Sequence, residues 1–238
     1  MSNRAKTGIR GLDALIGGGF PAHRAILVYG EPGTGKSTFG LQFLAQGAAD
    51  REPGILVSVD EKPRHVLEDA AAFSWNLDEA ITRGTLTMLD ASPYFTVTRS
   101  NGNHAGVDVR VIAGDLTQQI RKAKARRLVI DSFTSLLPPY ATRWEAYDYL
   151  RSLIQSLEDN LECTILLTCR PPKNPDPQGS FEAAETLASG VIQLQVTKAD
   201  EGYTRTCFVK KMRGTPLELA EYAFNIEAGN GLTVTERV

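Results

Sequence analysis

The chain is poor in cysteine and histidine, with three of each in 238 residues. Cys163, Cys169 and Cys207 are odd in number and lack metal-ligand spacing. That argues against a disulfide framework or a cysteine-held metal and for free thiols in a reducing compartment. The histidines are scattered, and His23, alone before a strand-like run, reads as structural or solvated rather than catalytic. No apolar run reaches the ~18 residues a membrane-spanning helix needs. The start, MSNRAKTGIRG, has no hydrophobic stretch of the secretory kind. A cytoplasmic location is therefore expected. Charge of one sign is also lacking, since the formal net charge is −2. No global field draws the chain to nucleic acid or to an anionic membrane.

What is present is a hydrophobic content of 42%, enough for a sizeable core in one α/β domain with additions or in two small ones. The most informative stretch is Gly30 to Thr38, GEPGTGKST. It contains G-x-x-x-x-G-K-[ST], with Gly30, Gly35, Lys36 and Ser37 at the fixed positions. Glycines allow a tight turn whose N–H groups approach phosphate oxygens. Lys36 has the length to reach the β- and γ-phosphates, and the Ser37 hydroxyl suits Mg²⁺. AILVYG before it reads as a buried strand. Phe39, Phe43, Leu44 and Ala48 after it repeat at helical spacing. Strand, loop and helix N-terminus together make an anion site.

Further apolar runs follow: Ile55 to Val59, Thr85 to Leu89, Leu128 to Asp131 and Thr164 to Thr168. They alternate with helical patterns, which predicts a mostly parallel sheet flanked by helices. Pro63 suits the first turn of a helix with Val66, Leu67, Ala70 and Ala71 inward. Asp115 to Arg127 reads as an amphipathic helix with Leu116, Ile120 and Ala123 inward. Its cluster Arg121, Lys122, Lys124, Arg126 and Arg127 reads as a solvated face, because no aromatics interleave for base stacking. Thr142 to Asn160 is the clearest helix, opened by a Thr142–Glu145 capping box. Its stripe of Trp144, Tyr147, Leu150, Ile154, Leu157 and Leu161 is core or a subunit contact. Ser92 to Gly106 reads as a mobile polar excursion, and no helix can run through the prolines of Pro171 to Pro177. From Val191 on, VIQLQV, TRTCFVKK, EYAFNI and LTVTER succeed one another without helices, which predicts an antiparallel extension.

Three acids and two cations have positions that bear on chemistry. Asp60 and Glu61 end the second strand, where parallel sheets place ligands; they equally suit the N-terminus of the next helix. Asp131 ends LVID, and in phosphate-loop enzymes such an Asp holds Mg²⁺ with the Ser of the loop. Lys211 and Arg213 flank Met212, so strand alternation puts both on one face; an exposed edge strand is the alternative. In the first segment, Leu12, Leu15 and Ile16 make one helical turn ended by three glycines, either a lid on the core or a ligand contact.

Six stretches in order carry a resemblance: GLDALIGGGFP, GEPGTGKSTFGLQFL, VDEKPRHVLEDAAAFSWNL, LDASP, KARRLVIDSFT and KKMRGT. Through them the chain from about Thr7 to Val234 resembles a single domain of the KaiC family within the RecA-like phosphate-loop ATPases. The resemblance implies one domain over 1–238, with a lead-in at 1–24, a core at 25–190 and a β extension at 191–238. It implies a cradle for ATP or ADP in Glu31, Pro32, Gly33, Thr34, Gly35, Lys36, Ser37 and Thr38, with Mg²⁺ on Ser37 and Asp131. One of Asp60 and Glu61 is expected to position or deprotonate the attacking water. The family usually has two Glu there, and Asp60 is one methylene shorter, which points to slow turnover. Lys211 and Arg213 fall on a Lys-x-Arg element expected to reach the γ-phosphate bound by a neighbouring subunit, in a homo-hexameric ring. Departures are His23 for a small residue and Cys169 where the family often has Glu. Glu185 and Thr186 align loosely with residues that the family's clock member phosphorylates on itself, so autophosphorylation at Thr186 is a secondary expectation.

Two functions follow. One is a Mg²⁺-dependent ATPase used as a regulatory switch. The other is a nucleotide-gated module, read by a partner protein, with negligible turnover. A recombinase or helicase motor on DNA is a third reading, opposed by the charge balance and by the scarcity of Lys and aromatics in Pro171 to Ser180.

Overall fold

The run AILVYG is buried at every position, which only a strand covered on both faces can achieve. It forms β3 (Ala25–Gly30) in a computed structural model that describes residues 3–91, 109–136, 142–160, 162–172, 179–199 and 202–238. The excursion expected at Ser92 to Gly106, the stripe residue Leu161 and most of the proline loop lie outside the described residues. Before β3 come β1 (Arg4–Ala5), α1 (Leu12–Leu15) and β2 (Phe20–Pro21). After it come α2 (Lys36–Ala49), β4 (Gly54–Ser58), α3 (Pro63–Ala70), α4 (Leu77–Thr82) and β5 (Leu86–Asp90). Then follow α5 (Val109–Lys122), β6 (Arg127–Asp131), a 3₁₀ turn (Phe133–Leu136), α6 (Arg143–Asn160), β7 (Thr164–Cys169) and α7 (Ser180–Leu187). Four strands close the chain: β8 (Gly190–Ala199), β9 (Gly202–Met212), β10 (Glu221–Glu227) and β11 (Gly231–Arg237).

The main sheet among the described residues runs β11-β10-β9-β8-β3-β7-β6-β4-β5. From β8 to β5 neighbouring strands are parallel; β8, β9, β10 and β11 pair antiparallel. This is the mostly parallel sheet with an antiparallel extension that the strand rhythm predicts. Alternation along the strands sorts the core into two layers. Ile26, Val28, Leu56, Val129 and Leu166 face Phe39, Phe43 and Leu44 of α2, together with the lead-in and the last strands. Leu27, Tyr29, Val57, Ile130 and Leu167 face α5, α6 and α7.

The lead-in packs on the core: Ile9, Leu12, Ile16 and Phe20 are all buried. The Phe20 ring lies 6.3 Å from Phe39 and 5.5 Å from Phe43. Gln42 of α2 ties this segment to the last strand. Its Nε2 donates to Gly8 O at 2.9 Å and Leu232 O at 3.1 Å, and its Oε1 accepts from Leu232 N at 2.7 Å.

Several local expectations differ from the structure. Ala71 is exposed, and what looked like one helix after Pro63 is two, with Asn76 in the left-handed region at φ 51 where α4 begins. The basic helix starts earlier than Asp115 and stops at Lys122, and Lys124 follows at φ 49. The five-residue basic cluster is therefore not one solvated face. Arg121, Lys122, Lys124 and Arg126 are exposed, but Arg127 opens β6 and is 1% exposed. The capping box at Thr142 forms, with Thr142 N and Oγ1 both donating to Glu145 Oε2 at 2.8 Å. Trp144 leaves the core stripe and stands 74% exposed. Lys211 and Arg213 do not share a strand, because β9 ends at Met212.

Candidate active site

The parallel register brings several strand ends to one edge. Tyr29 lies level with Cys169, Ile130 with Leu167, and Ser58 with both Asp131 and Asp90. The segments leaving β3, β4, β6 and β7 therefore emerge side by side. Gly30 must lack a side chain, since a Cβ there would collide with Leu194 O and the Thr34 hydroxyl. Gly33 at φ 82 and Gly35 at φ 101 turn the loop through the left-handed region, and Gly35 caps α2. A Cβ on Gly35 would also stand 2.6 Å from Ile226 Cδ1, so the C-terminal extension backs the loop. The loop thus ends at the start of a 14-residue helix that no side chain caps, where the first N–H groups have no intrahelical partner.

Glu31, Pro32, Gly33 and Ser37 are exposed, Lys36 and Thr38 are half-buried, and Thr34 is buried. The Thr34 hydroxyl donates to Glu31 O at 2.8 Å and shapes the loop from within. Lys36 Nζ donates to the same carbonyl at 3.0 Å. Partial burial pulls the Lys36 pKa down, while Asp131, Cys169 and Glu31 pull it back up. Asp131 Oδ1 accepts a short hydrogen bond from Thr168 Oγ1, which fixes the carboxylate at the end of β6.

Asp60 and Glu61 are exposed just past the end of β4. Val59 N donates to Asp131 O at 2.9 Å, which keeps them beside β6. Helix α3 begins at Pro63 with Lys62 as its cap residue and no acid in its first turn. The two carboxylates therefore directly precede the helix, at the strand end and beside the helix N-terminus at once.

Cys169 is buried next to Lys36, and burial pushes its thiol up to about 12. It supplies no base at neutral pH. Arg170, the next residue, pairs with Glu31 across the loop at 3.2 Å. Sequence reasoning overlooked that pair; the parallel β3–β7 register was the signal for it. Also overlooked was a group behind the loop. Lys210 Nζ bonds Glu185 Oε1 at 2.8 Å and lies 6.0 Å from the Tyr29 ring, which in turn packs edge-on against Phe181. Burial, then Glu185, raises the Tyr29 pKa; the Glu185 hydrogen bond raises that of Lys210.

Lys211 and Arg213 are not brought to this edge. Lys211 pairs with Val191 and Met212 with Gly190, whereas the phosphate loop leaves beside Leu194. Arg213 N bonds Ser189 O, and Ser189 N bonds Ala25 O, each at 2.8 Å, which puts Arg213 at the start of β3. Ala25 to Gly30 is six residues, and its five steps cover roughly 17 Å of strand. Both side chains turn instead to the C-terminal end of α7. Lys211 Nζ donates to Glu185 O at 3.0 Å and Thr186 O at 2.9 Å; Arg213 Nη2 donates to Thr186 O at 3.4 Å. Burial, then Arg213, lowers the Lys211 pKa. The Thr186 hydroxyl is engaged by Glu182 O at 2.8 Å. A groove of about 490 Å³ runs along α6 and α7, lined by Trp144, Tyr147 and Thr186 among others.

Among the described residues there is no cluster of three or more His, Cys, Asp and Glu that could hold a metal, and no helix long and apolar enough to cross a membrane. The metal donors expected from the sequence, Ser37 Oγ and the Asp131 carboxylate, are both oxygens, a set that suits a hard cation such as Mg²⁺.

Comparison with known proteins bears on the family and the fold. The family model described as "ATPase: KaiC" matches residues 5–238. A circadian clock oscillator protein KaiC of Parathermosynechococcus lividus is 34% identical over 224 residues, covering 94% of this chain and 41% of that protein. The chain thus spans about two fifths of that relative. A UPF0273 protein of Thermotoga maritima is 32% identical over 235 residues, covering 95% of this chain and 93% of its own length. The crystal structure of a KaiC-like protein from Pyrococcus horikoshii OT3 superposes with a TM-score of 0.82 at 30% identity, over 99% of this chain and all of that one.

Proposed function

Because this chain belongs to the KaiC ATPase family, we propose that it binds ATP and, with Mg²⁺, hydrolyses it to ADP and phosphate at a site two copies share. The observation that carries this reading is the separation of Lys211 and Arg213 from the loop edge of their own subunit. The triphosphate rests on the N–H groups of Gly33 to Thr38 and on Lys36. Ser37 and Asp131 would hold Mg²⁺, which would supply positive charge to offset that of the phosphates. Asp60 or Glu61 orients a water on the γ-phosphorus and takes its proton as the bond to ADP breaks. Lys211 and Arg213 of a second copy stabilise the charge on the transferred group, as an arginine finger does. A closed ring, such as a hexamer, satisfies every site in this way.

Lys36→Ala is expected to abolish phosphate release. Arg213→Ala is expected to lower turnover far more than ATP binding. Wild-type turnover in purified Lys36→Ala contradicts the assignment. The second reading, a nucleotide-gated module that a partner protein reads, is favoured by the buried Cys169, which supplies no base beside Lys36. ATP-dependent assembly with negligible phosphate release is its signature.

A further inference from the structure

The turn that carries Arg213 is held from a distance in sequence. Arg4, in β1, makes four hydrogen bonds with one guanidinium. Nη1 donates to Ile16 O at 3.0 Å and Gly19 O at 3.1 Å. Nη2 donates to Gly214 O at 3.2 Å and Thr215 Oγ1 at 2.7 Å. The first two acceptors bracket the glycine turn of the lead-in. The other two belong to the residues directly after Arg213. Only a planar fork of five donors can serve acceptors on both sides at once; an ammonium is a compact point charge on a flexible stem.

The turn itself has modest closure of its own. Thr215 N bonds Met212 O at 3.2 Å, Arg213 N bonds Ser189 O at 2.8 Å, and Gly214 sits at φ 69. The lead-in side of the staple is rigid, because Ile9, Leu12, Ile16 and Phe20 are buried in the core. Beyond the turn, the tips of Lys211 and Arg213 reach the carbonyls that end α7. A continuous path therefore runs from core to lead-in, through Arg4 to the 213–215 turn, and on to the cations.

We infer that Arg4 is a positioning residue for hydrolysis on a second copy: it fixes the 213–215 turn, and with it the place on this subunit from which Lys211 and Arg213 are presented. The inference rests on the shared-site reading above. A residue that merely anchored the lead-in would change stability or impair its own subunit's site. A positioning residue for the cations impairs the neighbour's.

Mixtures of full-length variants separate the two. Arg4→Gln alone is expected to lower kcat by roughly tenfold or more, with nucleotide affinity of its own loop unchanged within about twofold. Mixed with Lys36→Ala subunits, which have a disabled loop but an intact Lys211–Arg213 pair, Arg4→Gln should regain phosphate release. Mixed with Arg213→Ala it should not. Wild-type kcat in Arg4→Gln, or recovery with Arg213→Ala, overturns the inference. The reference mixture is Lys36→Ala with Arg213→Ala. If it recovers activity while Arg4→Gln with Lys36→Ala does not, the role of Arg4 alone is wrong. If it recovers none, the shared site falls and the role of Arg4 with it. Should Arg4→Gln unfold, Thr215→Val removes the 2.7 Å contact while leaving the lead-in contacts, and the same mixtures should give the same pattern with a smaller loss.

Discussion

Arg127 offers the sharpest test of how the helix behind the phosphate loop is held. Its guanidinium is 1% exposed. Nε and Nη2 both reach Glu52 Oε2 at 2.8 Å, and Nη1 donates to Lys6 O at 2.7 Å and Phe43 O at 2.8 Å. Asp50 Oδ2 is 3.6 Å away, and the cation sits 4.6 Å from the Phe43 ring centroid. Lead-in, α2 and β6 meet on this one side chain. Arg127→Met keeps much of the volume but strips donors from two carbonyls, at about 1–3 kcal/mol each if they stay dry. Glu52 and Asp50 are 42% and 36% exposed, so they rehydrate and add little. The sum is about 2–6 kcal/mol, nearly all of it from the two carbonyls. Glu52→Gln leaves the carbonyl bonds in place and should cost about 1 kcal/mol. Urea unfolding followed by circular dichroism reads both. A loss below about 1 kcal/mol for Arg127→Met, or a Glu52→Gln loss equal to it, refutes the clamp.

Other outcomes follow from single features. Gly35→Ala should weaken ATP binding, read by a fluorescent nucleotide, more than Gly33→Ala. Both suffer left-handed strain, but only at Gly35 would a Cβ meet Ile226. Cys163, Cys169 and Cys207 are pushed up to about 12 by burial. At pH 8 only about one thiol in ten thousand is ionised, so the native protein should resist alkylation that urea then allows. Glu145 has its pKa lowered by the Thr142 N–H and hydroxyl. A depressed carboxylate lends stability that is complete above its ordinary value of 4.5 and is lost as pH falls through its lower folded value. Glu145→Gln should therefore flatten the acid limb of a stability–pH curve, lowering stability at neutral pH and changing it little at low pH.

How much of this was legible beforehand depended on the range of the forces involved. The strand, loop and helix from Ala25 to Ala49 are written in local periodicity and glycine placement, and they formed where the pattern put them. The antiparallel extension was legible for the same reason. Arg127 was not. Five basic residues in a short stretch look like surface, and the acids that bury this one, Asp50 and Glu52, lie some 75 residues earlier. The split between α3 and α4 hangs on the left-handed Asn76, which no apolar period reveals. Helix α7 is eight residues with small buried alanines, too short and too mild to stand out. At the site, residues sharing one loop were found together in the chain, whereas the Arg170–Glu31 and Arg4–Thr215 contacts needed the sheet register and the lead-in path.

The shared site is tested most directly by size-exclusion chromatography with light scattering, with and without ATP and Mg²⁺, with phosphate release followed on each fraction. The account predicts that turnover per subunit resides in the assembled species and falls away in the monomer as the protein is diluted. Full turnover in a monomeric fraction would contradict it.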